Sequence, residues 1–219
     1  MSMQVNIFSC LKDKTPKDTT LDNVVRIMRS SELLRQLCER RKELLKDGNK
    51  IEADIIKKGK IPAFAPCVLL YGGKRREDVL GLTDLCFLDF DHITDDEIER
   101  SISILSNDSH VVLAARSISS DGLHVLIRYS FKDMEYPRIG MMSQVRMNFV
   151  YGCVYRTMGM YYGELLSVKA DKQGGNMERL CTISFDENLY YNNNAEPIVL
   201  EFEKRKVNKR HRPYNILNV

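Results

Sequence analysis

Two carboxylates, Asp89 and Asp91, stand one residue apart at the end of the apolar stretch "LCFLDFDHI", Leu85 to Ile93. Residues two apart on a strand project to the same face. Two such charges repel unless one protonates or a cation sits between them. Hard divalent cations such as Mg²⁺ or Mn²⁺ take carboxylate oxygens and complete their shell with waters and substrate phosphates. Taken alone, the pattern is more often a strand end with two solvated acids, Asp91 opening a turn.

A second group lies in "SISSDGLHVLIRY", Ser117 to Tyr129, where a small polar turn with Gly122 leads into a strand carrying His124. The glycine permits close backbone approach, and the amides and hydroxyls of such a turn can cradle an anion. His124 can donate a hydrogen bond to a phosphate oxygen, although a lone strand histidine is more often structural. The third group is "VKADKQGGNMERLCTISF", Val168 to Phe185. Asp171 would complete a two-metal carboxylate set, and Arg179 would clamp a triphosphate in a bidentate way. Read alone, Asp171 is a turn residue. The four histidines, His92, His110, His124 and His211, form no HxH pair, which argues against a two-histidine nuclease.

These groups need elements to hold them. From about Thr20 to Lys58 leucines recur at helical spacing, and "KDGNK" at Lys46 to Lys50 breaks the pattern, so two helices are expected. Gly59, Pro62 and Pro66 then end the helical part. β-type segments follow at 67–71, 85–90, 110–115, 123–129 and 180–185. "TDDEIERSISILS" opens with Thr94 and Glu97 in a capping-box arrangement. A further helix is expected from about Tyr136 to Met160, with Met141, Met142, Met147, Met158 and Met160 as a core stripe. From Leu85 the order is strand, helix, strand, strand, helix, strand, the split βαβ arrangement. That topology sets the DxD strand beside the strand carrying His124.

The 219 residues, 43% hydrophobic and 29% charged, suit a soluble globular chain with a real core. Apolar runs fall far short of the roughly 20 residues of a membrane span, and no signal-peptide pattern opens the chain. Six cysteines stand singly, with neither a CxxC pair nor a disulfide framework, which points to the reducing cytoplasm. The net charge of +3 does not by itself indicate nucleic acid. Two basic clusters, Lys74–Arg75–Arg76 and the run Lys204 to Arg212, are most often solvated surface. In a nucleic-acid enzyme they would contact phosphates.

The ordered motifs "LDFD" (88–91), "SSDGLH" (119–124) and "KAD" (169–171) resemble those of the archaeo-eukaryotic primase (prim-pol) superfamily. More closely, "KKGKIPAFAP" and "TDLCFLDFDHI" are similar to the VirE N-terminal-type, primase-like domain of mobile-element and phage proteins. The resemblance covers roughly 57–186 and implies an α+β chain. Its RRM-like catalytic core would span 61–200, after an N-terminal helical region over 1–60 and before a basic tail over 201–219. It implies DNA primase/polymerase-like nucleotidyl transfer by two metal ions, Mg²⁺ or Mn²⁺, in replication of a mobile element or phage. Asp89, Asp91 and Asp171 would hold the metals. Ser119, Gly122, His124 and Arg179 would face the nucleotide. Single-stranded DNA template and NTP or dNTP would be the partners, with a helicase region or partner nearby. Ser120 stands where a glycine is usual in the superfamily's pattern, and Ala170, only weakly hydrophobic, stands at its hydrophobic position before the third acid. The non-enzymatic alternative is a primase-like module that binds single-stranded nucleic acid or nucleotides through basic and aromatic side chains. An RRM-like RNA binder fits less well, because neither "LCFLDF" nor "LHVLIRY" carries the aromatic pattern of its central strands.

Overall fold

The computed structural model describes residues 3–119, 121–132, 135–204 and 214–217, without the side chains of Lys172 and of residues from 202 onward. The fold is α+β. The chain opens with β1 (Gln4–Phe8) and β2 (Lys17–Thr20), then α1 (Leu21–Ser30), α2 (Glu32–Lys46) and α3 (Lys50–Gly59). Next come β3 (Ala63–Ala65), β4 (Val68–Leu70), β5 (Val79–Leu82), β6 (Leu85–Asp91), α4 (Asp95–Leu105), β7 (Val111–Arg116) and β8 (Gly122–Phe131). The last elements are α5 (Gln144–Leu166), β9 (Cys181–Thr182), β10 (Tyr190–Tyr191), β11 (Ile198–Lys204) and β12 (Tyr214–Leu217).

The first sixty residues therefore differ from the expected helical region. β1 pairs with both β2 and β3, and the resulting sheet runs β2–β1–β3–β9. Asn6 makes this possible: its Oδ1 accepts from the Leu70 amide at 2.7 Å and its Nδ2 donates to Asp18 at 2.9 Å, so a polar residue sits buried in β1 at no unsatisfied cost. Three helices follow rather than two. The break at "KDGNK" occurs, with Gly48 at φ 75° and Asn49 capping α3 through the Glu52 amide. A second break falls at Ser31, which ends α1 and whose hydroxyl caps α2 through the Leu34 amide.

The site rests on the larger sheet, where β8 is flanked by β6 and β7, both antiparallel to it. The β6–β8 register sets Asp89 opposite His124 and Asp91 opposite Gly122. The first six residues of β6 are all buried. Leu88 lies toward Gly159 of α5, so the alternate residues Phe87, Asp89 and Asp91 face away from that helix. The capping box of α4 forms between Thr94 and Glu97. α4 joins β6 to β7, covering the sheet with Ile98 and Leu105.

Three further expectations differ from the structure. The segment 180–185 forms only the short β9, and it pairs with β3 instead of adding a fourth strand beside β6. The helix expected from Tyr136 begins at Gln144, capped by Ser143, and runs on to Leu166. Of the methionine stripe only Met147 and Met158 are fully buried, while Met142 is half-buried against the core and Met141 and Met160 are exposed. Met147 and Met158 are three turns apart on one face, and Met160 lies just over half a turn further round, on the opposite face. Ser120 and most of the basic run Lys204 to Arg212 lie outside the described residues.

Candidate metal and phosphate site

Asp89, Asp91 and Asp171 each offer a carboxylate oxygen, and these atoms lie within 4.8 Å of one another. The first two come from the end of β6. The third arrives from a loop 80 residues later and is fixed by backbone: the Asp171 amide donates to the Asp89 carbonyl at 2.8 Å. The Tyr155 hydroxyl of α5 donates to the Asp171 carbonyl from the other side. Asp171 also caps the short 3-10 turn Lys172–Gly175, its Oδ1 accepting from the Gln173 amide at 3.1 Å. Gly174 is required there, because a Cβ would stand 2.4 Å from the Tyr155 ring. Ala170 packs near Gly159, where a bulkier side chain would press on α5.

The charges around the triad are unevenly matched. Arg179 Nη2 bridges Asp89 Oδ2 at 3.0 Å and Asp171 Oδ2 at 2.9 Å. Asp89 Oδ1 is buried and accepts no hydrogen bond among the described residues. The nearest ring nitrogen, His124 Nε2, is 3.4 Å from it without hydrogen-bonding geometry. Burial, and then the charges of Asp89 and Asp171, hold the Asp91 carboxyl above its ordinary range. An orphaned carboxylate oxygen, a repelled neighbour and an all-oxygen donor set together fit a hard divalent cation such as Mg²⁺ or Mn²⁺.

His124 is buried, with its ring edge-on to Phe87 at 5.3 Å and Nδ1 3.4 Å from Cys181 Sγ. Burial lowers its pKa, against an opposing pull from Asp89, which favours the neutral ring at pH 7. Gly122 starts β8 at the point of closest approach: a Cβ there would meet the Phe90 carbonyl oxygen at 2.7 Å and Ser117 Oγ at 2.9 Å. Ser119 lines the same cavity of about 570 Å³ as Asp89, Asp91, His124 and Arg179. The Ser117 hydroxyl, buried on its wall, has no hydrogen-bond partner among the described residues. A larger cavity of about 910 Å³ runs along α5 and contains none of the candidate acids.

The basic cluster divides. Lys74 and Arg75 line the cavity, but Lys74 is engaged by the carbonyls of Leu11 and Asp13, the latter at 2.6 Å. Arg76 pairs with Glu178 at 3.0 Å. Two further cations escaped sequence reading because they sit inside helical charge runs. Lys57 of α3 lines the cavity. Arg41 of α2 is buried, and its guanidinium donates to the Ile118 carbonyl at 2.9 Å. That bond ties α2 to the turn carrying Ser119, and burial depresses the arginine's pKa. Among the described residues no helix is long and apolar enough to cross a membrane.

No significant match was found among curated proteins or solved structures. A family model described as "BT4734-like, N-terminal domain" matches residues 56–191, more than half of the chain. The matched span holds the three acids, His124, Ser119, Gly122, Lys57 and Arg179, but not Arg41. The chain belongs to the BT4734-like N-terminal domain family.

Proposed function

We propose that this chain is a primase-polymerase-type nucleotidyltransferase acting on NTP or dNTP with a single-stranded DNA template, in replication of a mobile element or phage. The observation that carries the reading is the convergence of Asp89, Asp91 and Asp171 from two distant segments, with Asp89 Oδ1 buried and without a hydrogen bond among the described residues. Divalent cations bound there would supply Lewis-acid activation of a hydroxyl and charge neutralisation on a triphosphate. The chain's own residues hold the geometry. The backbone bond between Asp171 and Asp89 fixes the spacing of the acids, and His124 backs the Asp89 carboxylate. Arg179 and the residues Ser117, Ile118 and Ser119 line the cavity where phosphates would lie. Within the same reading, β6, α4, β7, β8 and α5 form the RRM-like core, supported by the order β6–β8–β7. β9 departs from that pattern. A helicase region or partner and a cytoplasmic setting belong to this proposal too.

The test is primer synthesis and extension on single-stranded template by the full chain, with Mn²⁺ or Mg²⁺. Asp89→Ala combined with Asp91→Ala should abolish product, and full activity in the double variant would refute the assignment. Oligonucleotide binding that ignores both metal and Asp89, without product, would favour the non-catalytic module instead.

A further inference from the structure

Arg179 does more than border the three acids. One nitrogen, Nη2, contacts Asp89 Oδ2 at 3.0 Å and Asp171 Oδ2 at 2.9 Å. The other terminal nitrogen, Nη1, donates to Gln173 Oε1 at 3.3 Å. Gln173 belongs to the turn that Asp171 caps, so the guanidinium is held by the same loop that delivers the third acid. A single N–H nitrogen placed between two carboxylates lies where a cation shared by Asp89 and Asp171 would sit. The two cannot occupy that place together, because like charges at such a separation repel and both need the same oxygens. The arginine also has somewhere to go: its side chain is a quarter exposed and borders the cavity. Glu178 beside it offers no alternative anchor, being paired with Arg76.

We propose that Arg179 is a competitive latch on the acid triad. It stands in the cation position between Asp89 and Asp171, a divalent cation enters only as the guanidinium withdraws, and the freed guanidinium turns to an anionic ligand's phosphates. The latch rests on the metal reading above and adds to it an order of events. Metal alone binds weakly, because it must displace a resident charge. A phosphate-bearing ligand strengthens metal binding by giving that charge a new partner, and the coupling is reciprocal.

The test is Mn²⁺ titration of the full chain without nucleotide, read by the electron paramagnetic resonance of free Mn²⁺ and by thermal melting. Arg179→Met should bind Mn²⁺ about 10-fold tighter than the unaltered chain, toward the lower end of the usual range for coupled sites. Its melting temperature should rise more on metal addition. Arg179→Lys, which keeps a cation there, should stay near the unaltered affinity. Arg179→Gln replaces the methionine variant if that one does not melt cooperatively. Lys57→Met removes the same charge from the same cavity, and among the described residues no ion pair joins Lys57 to either acid. Equal tightening in Lys57→Met would reduce the effect to the general field and overturn the latch. Unchanged or weaker binding in Arg179→Met would overturn it as well, leaving the metal reading intact if Asp171→Asn still abolishes binding. If neither Asp89→Asn nor Asp171→Asn weakens Mn²⁺ binding, the metal reading itself fails, and the latch with it.

Discussion

The Asp171 amide donates to the Asp89 carbonyl at 2.8 Å, so two acids 82 positions apart in sequence are spaced by a backbone bond rather than by their side chains. Side-chain carboxylates would repel one another, whereas this bond is indifferent to their charge. The second hold on Asp171, the Tyr155 hydroxyl on its carbonyl, can be removed without disturbing the ring. Tyr155→Phe keeps the packing against Gly174 and loses one hydrogen bond, a cost of about 1 kcal/mol. The melting temperature should fall by about 2–4 °C, and Mn²⁺ affinity should fall with it, because the third acid is then less firmly placed. Calorimetry and metal titration on the same variant check both; an unchanged metal affinity would mean the amide bond suffices.

Gly122 separates a required glycine from a merely present one. A Cβ at this position would press on the Phe90 carbonyl, which is backbone and cannot turn aside, and on Ser117 Oγ. Gly122→Ala should therefore cost about 1–3 kcal/mol as an overpacked site, and it should spread the β6–β8 ends that carry Asp91 and His124. Gly59, near the end of α3, has open space where its Cβ would stand. Gly59→Ala should be neutral or stabilising by up to about 1 kcal/mol. Chemical denaturation of both variants tests the contrast, and similar losses in the two would contradict it.

Asp91 should show opposite effects with and without metal. Its carboxyl is penalised by burial and by the neighbouring Asp89 and Asp171. Asp91→Asn removes that repulsion while keeping the shape, so the metal-free chain should melt at the same temperature or higher. The gain in melting temperature on adding Mn²⁺ should largely disappear in the same variant, since one of the three donors is lost. A metal-free loss of stability would show that Asp91 has a structural partner the repulsion argument overlooks.

What could be read in the sequence follows the range of the interactions. β6 and the start of α4 were legible because apolar continuity and the Thr94–Glu97 box act over a few residues. That β8 lies beside β6 followed from topology once those strands were ordered, whereas the register that sets Asp89 opposite His124 did not. β1 was not legible, because Asn6 is tolerated there through Asp18 and Leu70, 12 and 64 positions away. The break at Ser31 was hidden because helical periodicity runs on through it, and only the serine's cap marks the end. In the site, the residue types of Asp171 and Arg179 were visible, but the bridge that Arg179 makes between two acids depends on the fold of the 171–179 loop. Arg41 carried no local signal at all, being one arginine among the charges of "CERRKEL".

That same Arg41 yields the last prediction. It is a buried cation with no carboxylate within ion-pair distance among the described residues, and it spends one bond on the Ile118 carbonyl. Desolvating a guanidinium is costly, so an apolar replacement of similar length should recover much of what the lost hydrogen bond costs. Arg41→Met is accordingly expected to change global stability by no more than about 1 kcal/mol. The local effect should be larger. Without the guanidinium, the hydrogen bond from α2 to the Ile118 carbonyl is lost, and the amides around Ile118 should exchange hydrogen faster than those of the neighbouring β7 and β8. If the turn orders phosphates in the cavity, nucleotide binding should weaken while Mn²⁺ binding to the three acids stays as it was. Hydrogen exchange over residues 117–122, set beside separate titrations with nucleotide and with metal, reads all three effects. Unaltered exchange in the turn would show that the bond to Ile118 supports the packing of α2 and not the site.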